Sequence, residues 1–273
     1  MSKIIFPFLL QGNKSMSSKA IKKANTKFLK GYEIDDAAEN VTFIKKQRKK
    51  PQTAGISQLQ LKEIQPLTEN QKKVFQAYSD GKNIVCAGSA GTGKSFLLFY
   101  LCLQELIYSN EYDKIIIFRS SVPTRNMGFL PGDEKEKMAV YEQPYKSISG
   151  DLFGRGDSYE ILKKKELIEF QSTSYIRGNT FDNCLLIVEE MQDMTMHELS
   201  TIITRCGRNT KIFFSGDFKQ TDLDGRREIS GFSDFIKIVD CMYSFEVVEF
   251  GLDDIVRSGL VKEFLIAKEK LGL

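Results

Sequence analysis

The chain of 273 residues is 41% hydrophobic and carries a formal charge of +3, enough for one large α/β domain, or a medium domain with an extension, around a sizeable core. A single histidine, His197, excludes multi-histidine metal sites, and five cysteines without a C-x-x-C pair (Cys86, Cys102, Cys184, Cys206, Cys241) read as small core residues in a reducing compartment. No run reaches transmembrane length, and the apolar residues 4–10, interrupted by Pro7, precede no small-residue cleavage site, so the expectation is a cytoplasmic protein with no membrane partner.

The modest net charge hides an asymmetry. Residues 1–50 hold twelve lysines or arginines against four aspartates or glutamates, whereas the remainder holds 27 basic and 32 acidic residues. Lysine clusters at 19–30 and 45–50 flank an acidic stretch at 31–41, and Lys49-Lys50-Pro51-Gln52-Thr53-Ala54-Gly55 has the composition of a linker. Residues 1–55 are therefore expected to form a basic, partly disordered extension and linker. Its charge suits single-stranded RNA or DNA, or another polyanion, and equally suits a solvated leader.

From residue 56 the pattern becomes that of a folded domain. Thr68 and Gln71 have capping-box spacing at the start of a helix expected over 69–78. A strand at 83–87 then leads into Gly88-Ser89-Ala90-Gly91-Thr92-Gly93-Lys94-Ser95, followed by a helix expected at 94–109. The spacing G-x-x-x-x-G-K-S is that of a phosphate-binding loop. Its glycines let backbone N–H groups curl around an anion, and the helix behind it adds unsatisfied N–H groups and a positive dipole end. Lys94 is placed to reach the β- and γ-phosphates of a nucleotide, and the Ser95 hydroxyl to ligate Mg²⁺. The bland alternative, a flexible glycine turn, is disfavoured by the strand before and the helix after.

A buried strand at 115–118 comes next, then the loop Gly128-Phe129-Leu130-Pro131-Gly132-Asp133, a charged helix at 134–148, a helix at 158–165 and a strand near 167–173. The apolar strand at 185–188 ends in Glu189-Glu190-Met191-Gln192-Asp193; after a helix at 195–206, the strand at 211–215 ends in Gly216-Asp217-Phe218-Lys219-Gln220. A helix at 231–239, a strand at 245–250 and a helix at 260–271 complete the chain. Continuous apolar strands alternating with helices indicate an α/β fold, a parallel sheet with helices on both faces. Ligands bind at the C-terminal edge of such a sheet, so Glu189, Glu190, Asp217 and Gln220 are delivered to the phosphate loop. One acid of the pair holds Mg²⁺ and the other polarises the attacking water, while Asp217 and Gln220 sense the γ-phosphate; Asp217 also fits a simple cap on the next turn. Arg205 and Arg257 each fit a γ-phosphate contact or, equally from spacing, a surface ion pair.

Further stretches complete a pattern: Tyr175-Ile176-Arg177-Gly178, Thr204-Arg205-Cys206-Gly207, Asp222-Leu223 after Gln220, and Asp254-Ile255-Val256-Arg257. With the loop at 88–95, the loop at 128–133 and the acidic run at 189–193, in this order, residues 62–265 or so resemble the PhoH-like ATPase family, whose phosphate-loop domain is similar to the first RecA-like domain of superfamily 1 helicases. A compact chain with a basic leader is similar to members carried by bacteriophages. Pro66-Leu67-Thr68-Glu69-Asn70-Gln71 resembles the family's adenine-reading element, which implies that Gln71 bonds adenine as well as capping its helix. The resemblance implies one RecA-like P-loop NTPase domain over residues 56–273 that binds and hydrolyses ATP with Mg²⁺, forms a homo-oligomer, in some members a ring, and has a link to RNA.

The expected nucleotide contacts are Gln71, Gly88, Ser89, Ala90, Gly91, Thr92, Gly93, Lys94 and Ser95. The expected metal ligands are Ser95 and Glu189, and the expected catalytic groups are Lys94, Glu190, Gln220 and Arg257, the last acting in cis or across a subunit boundary. Two features depart from the family's pattern: Glu189-Glu190 where Asp-Glu is usual, and Gly225-Arg226-Arg227 where Pro-Arg-Gly is usual. On this reading an aspartate at 189 is expected to hydrolyse ATP as fast or faster. The leading reading is an ATPase. A remodelling enzyme driven along RNA by the same cycle would need an oligomer or partner, because one motor domain is expected. A nucleotide-dependent switch with negligible turnover is the alternative from another class, and Glu189 is the feature that favours it.

Overall fold

The computed structural model describes residues 56, 59–109, 111–120, 134–176, 178–217 and 230–271. The basic extension, the loop at 128–133, Arg177, Gln220, Asp222-Leu223 and Gly225-Arg226-Arg227 lie outside the described residues. The elements in order are α1 (Glu69–Ser79), β1 (Asn83–Gly88), α2 (Lys94–Tyr108), β2 (Lys114–Arg119), α3 (Glu134–Phe153), α4 (Ser158–Lys164), β3 (Ile168–Ser172), β4 (Cys184–Glu189), α5 (Met196–Ile203), β5 (Lys211–Gly216), α6 (Phe232–Asp240), β6 (Phe245–Phe250) and α7 (Gly259–Lys270).

The strands form one sheet in the order β3-β2-β4-β5-β1-β6, and every pairing is parallel. Successive side chains on a strand point to opposite faces, and the apolar runs divide accordingly. Ile84, Cys86, Ile115, Ile117, Leu185, Ile187 and Phe213 enter one core with α1, α2, α3 and α4. Val85, Ala87, Ile116, Phe118, Leu186, Val188, Ile212 and Phe214 enter a second core with α5 and α6. Strands buried on both faces need no polar alternation, which is why they read as continuous apolar runs. Helix α2 buries seven consecutive residues, Leu97 to Leu103, as expected of a helix enclosed between a sheet and other helices. This is the expected α/β architecture, a parallel sheet with helices on both faces: the loop strand β1 lies between β6 and β5, and β5 separates it from the acidic strand β4.

Element types agree with the sequence reading, and two boundaries move by more than one residue. The charged helix expected at 134–148 continues to Phe153, with Pro144 inside it. The helix expected at 195–206 stops at Ile203, after which the chain turns back so that Phe181 N donates to Arg205 O at 2.9 Å. Its start is fixed by a full capping box, Thr195 with Glu198. In α1 the box is half formed. Thr68 Oγ1 accepts from Gln71 N at 3.3 Å, but the Gln71 side chain accepts from Leu67 N, one residue before the cap, at 2.8 Å. All five cysteines are reduced thiols; Cys86, Cys102 and Cys184 are buried and Cys206 and Cys241 half-buried. No helix among the described residues is long and apolar enough to cross a membrane.

Candidate nucleotide site at the sheet edge

Parallel strands end together: Ala87 lies in register with Gly216, Gly88 with Phe250 and Arg119 with Glu189. The phosphate loop, the acidic pair and Asp217 therefore share one edge. Gly88 has φ +137°, and a Cβ there would sit 2.0 Å from Phe250 O, so only glycine lets β6 run alongside. Ser89 N donates to that same Phe250 oxygen at 3.2 Å. Gly91 and Gly93 occupy the left-handed region at φ +79° and +82°, which glycine enters without strain. Ser89 and Ala90 are half-buried on the loop, and Thr92 is fully buried, its hydroxyl donating to Ser89 O at 3.0 Å. The turn is thus held in shape partly by its own residues.

Lys94 folds back onto this loop, its Nζ donating to Gly88 O and Ser89 O, each at 2.8 Å. Burial pushes its pKa down, while Asp217, Cys86, Glu189 and Glu190 act to raise it. The cation sits in a niche with three carboxylates near it, and an anionic ligand there would help offset the desolvation penalty on the ammonium.

Glu189, the last residue of β4, is 6% exposed. Its Oε2 accepts from Ser95 Oγ at 3.0 Å and its Oε1 from Tyr145 OH at 2.5 Å. Burial raises its pKa, and the neighbouring Glu190 adds to the rise, while the Tyr145 and Ser95 bonds and Arg119 oppose it. Because the Ser95 proton points at Glu189, the hydroxyl lone pairs remain free for a cation. These are the hard oxygen donors that Mg²⁺ prefers, and Mg²⁺ in such sites takes one or two protein groups with phosphates and water supplying the rest, so Ser95 and Glu189 fit. Among the described residues no three His, Cys, Asp or Glu side chains group so as to hold a metal ion by themselves.

Glu190 adopts the left-handed conformation, φ 51° and ψ 46°, an unusual one for a non-glycine residue. Gln192 Nε2 donates to Glu190 Oε2 at 2.6 Å, and Gln192 Oε1 accepts from Asp217 N at 3.0 Å, so one amide spans the ends of β4 and β5. Arg119, at the end of β2, stands 3.8 Å from Glu190 and 4.4 Å over the Tyr141 ring. Gln192, Arg119 and Tyr145 were not singled out from the sequence as site residues.

The far wall is the segment after β6. Val256 N donates to Gly91 O at 3.2 Å, and Arg257 Cγ would lie 3.0 Å from a Cβ on Gly91. Gln71 Nε2 donates to Thr92 O at 3.2 Å, tying α1 to the loop while leaving one amide hydrogen uncommitted in these bonds. Asp254 anchors both pieces: its Oδ2 accepts from Asn70 Nδ2 at 2.7 Å and from Gly251 N at 2.9 Å. Burial alone would raise its pKa, but hydrogen bonds from Thr68, Asn70 and Gly251 outweigh it and hold the carboxyl below its usual range. Among the described residues no ion pair joins Arg257 to Asp253 or Asp254, and Arg257 is exposed beside the loop. Arg205, by contrast, lies beside the start of β4, since its carbonyl accepts from Phe181 N just upstream. It stands at the edge opposite the loop and is set apart from the γ-phosphate reading.

A family model described as PhoH-like protein matches residues 63–269. Protein PhoH of Escherichia coli (strain K12) is 31% identical over 201 residues, covering 73% of this chain and 56% of that protein. A PhoH-like protein of Bacillus subtilis (strain 168) is 30% identical over 210 residues, covering 77% of this chain and 65% of its own length. The chain thus spans less than two thirds of either relative. Among solved structures, the large terminase from a thermophilic bacteriophage in complex with ADP aligns at 14% identity and TM-score 0.44, over 73% of this chain and 49% of that one.

Proposed function

Because this chain belongs to the PhoH-like family, we propose that it binds ATP at the loop of residues 88–95 and hydrolyses it with Mg²⁺, in a cycle coupled to nucleic acid. The observation that carries this reading is the meeting of the loop, Lys94, Ser95–Glu189 and Glu190 at one sheet edge. The loop N–H groups and the start of α2 take the phosphates. Lys94 exchanges two loop carbonyls for the β- and γ-oxygens, a trade that replaces neutral partners with charged ones. Mg²⁺, held by Ser95 and Glu189 together with the phosphates, would neutralise charge on them. Glu190 orients and polarises the attacking water; Asp217 lies across from it, linked through Gln192. Gln220 is proposed to sense the γ-phosphate. Gln71, already bonded to Leu67 and Thr92, offers its spare amide hydrogen to adenine.

Arg257 is proposed to complete the site of a neighbouring subunit in a homo-oligomer. Arg257→Ala is expected to bind ATP normally, to hydrolyse it slowly, and to lose ATP-promoted assembly seen by light scattering. Mixing Lys94→Ala with Arg257→Ala chains separates the two arrangements: partial recovery of activity supports a shared site, whereas inactive mixtures place the arginine in its own subunit's site.

The basic extension is proposed to hold RNA or DNA. Deleting residues 1–52 should weaken binding of a single-stranded oligonucleotide and flatten its salt dependence, because each lost phosphate contact removes about 0.7 of the log–log slope for single strands. An unchanged slope would assign the extension elsewhere. Phosphate release with and without single-stranded RNA tests the whole reading. Stimulation supports a nucleic-acid-coupled ATPase, RNA-independent release a plain ATPase, and binding without release the switch. The switch reading draws on Glu189, each of whose oxygens already accepts one hydrogen bond, from Ser95 and from Tyr145.

A further inference from the structure

Helix α3 presents two tyrosines, one turn apart, to the acidic end of β4. Residues at i and i+4 share a helix face, and here one reaches the acidic pair through Arg119 and the other directly. Tyr141 lies under Arg119, which stands beside Glu190. Tyr145 touches Glu189 directly through its hydroxyl. The Tyr145 ring is 3% exposed and packs edge-on to Phe99, with centroids 4.9 Å apart, and to Phe170, at 6.0 Å. A phenylalanine would satisfy those ring contacts equally. The hydroxyl is what needs explaining, because burying a polar group is costly unless it is bonded, and its bond goes to the carboxylate expected beside the metal.

The same geometry accounts for the acid at 189. Its two oxygens reach Ser95 at 3.0 Å and Tyr145 at 2.5 Å. An aspartate would draw the carboxylate back by about 1.5 Å, one carbon–carbon bond, and a bond of ordinary length stretched by that amount is lost. We infer that Tyr145 is a positioning residue for divalent-cation binding, and that glutamate stands at 189 because its extra methylene brings one carboxylate to both hydroxyls. The inference rests on the ATPase reading above and reverses the expectation that aspartate at 189 would serve as well. A carboxylate held from behind by a phenol keeps one orientation toward Ser95, as outer partners do for metal-binding carboxylates generally.

The test follows binding of a fluorescent ATP analogue to the full chain while Mg²⁺ is titrated. Tyr145→Phe is expected to stay folded by circular dichroism, to bind the analogue without cation as the wild type does, and to need roughly tenfold more Mg²⁺ for the cation-dependent gain. Glu189→Asp should show a similar shift, and the double variant no more than the larger single shift, because both changes break the same contact. Unchanged Mg²⁺ dependence in Tyr145→Phe, or shifts that add, would overturn the inference. Should Tyr145→Phe fail to fold, Glu189→Asp decides alone, and wild-type Mg²⁺ dependence there is the contrary result. A wild-type chain that binds the analogue with no response to Mg²⁺ brings down the ATPase reading and this inference together. A responsive wild type beside an equally responsive Tyr145→Phe brings down the inference only.

Discussion

Lys94→Ala is expected to lose tight ATP binding while melting no lower than the wild type. Lys94 now rests on two loop carbonyls, and in the complex its ammonium would face two phosphates. Hydrogen bonds to charged groups contribute about 1.5–3 kcal/mol each, so removing two should weaken binding by at least roughly 100-fold. Stability responds differently. Burial holds the lysine's folded-state pKa below its ordinary value, so the unfolded chain binds its proton more tightly. The contribution of the ionised lysine therefore opposes folding at neutral pH and relaxes as pH rises from the depressed pKa to the ordinary one. Removing it costs the fold little. Calorimetric titration with ATP, beside a thermal melt, checks both halves; a folded Lys94→Ala chain with wild-type affinity would remove the phosphate-loop assignment.

Glu190→Gln should retain ATP and cease turnover. Glutamine keeps the shape and can still accept from Gln192, which now donates to Glu190 at 2.6 Å, so the left-handed kink persists. What disappears is the carboxylate that polarises water, a role commonly contributing 10²–10⁴-fold, and the release rate should fall by about that factor. Glu189→Gln serves as the comparison. Its side chain is buried against Ser95 and Tyr145, so an amide there should first disturb cation-dependent binding. If Glu189→Gln instead keeps binding and loses chemistry, the two acids exchange roles.

The framework was legible because its signals are local. Gly88, Gly91 and Gly93 announce the loop through spacing alone, and each sits in a conformation or a contact that only glycine suits. The strands ending at Glu189 and Gly216 were readable as apolar runs buried on both faces. The residues that orient the acids were not, because their signals are tertiary. Tyr145 comes 44 residues before Glu189, on a charged helix whose sequence gives no reason to mark one tyrosine over another. Arg119 looked like a strand end, and Gln192 like filler between acids until β5 placed the Asp217 amide beside it. Gln71 shows a middle case: its cap spacing was visible, but its bond to Thr92 depends on how α1 docks onto the loop. Arg205 and Arg257 were indistinguishable by spacing, and only the sheet separated them, placing one beside the start of β4 and the other beside Gly91.

The central claim is that the bound nucleotide is consumed and not merely sensed. A single-turnover experiment tests it most directly: the full chain in excess over ATP, with Mg²⁺, quenched in acid at intervals and resolved into ATP and ADP. The account expects bound ATP to convert to ADP and phosphate on the wild-type chain, and to remain intact on Glu190→Gln or when Mg²⁺ is chelated. ATP recovered whole from the wild-type chain under conditions where binding is saturated would contradict it, and would leave the site a nucleotide-dependent switch.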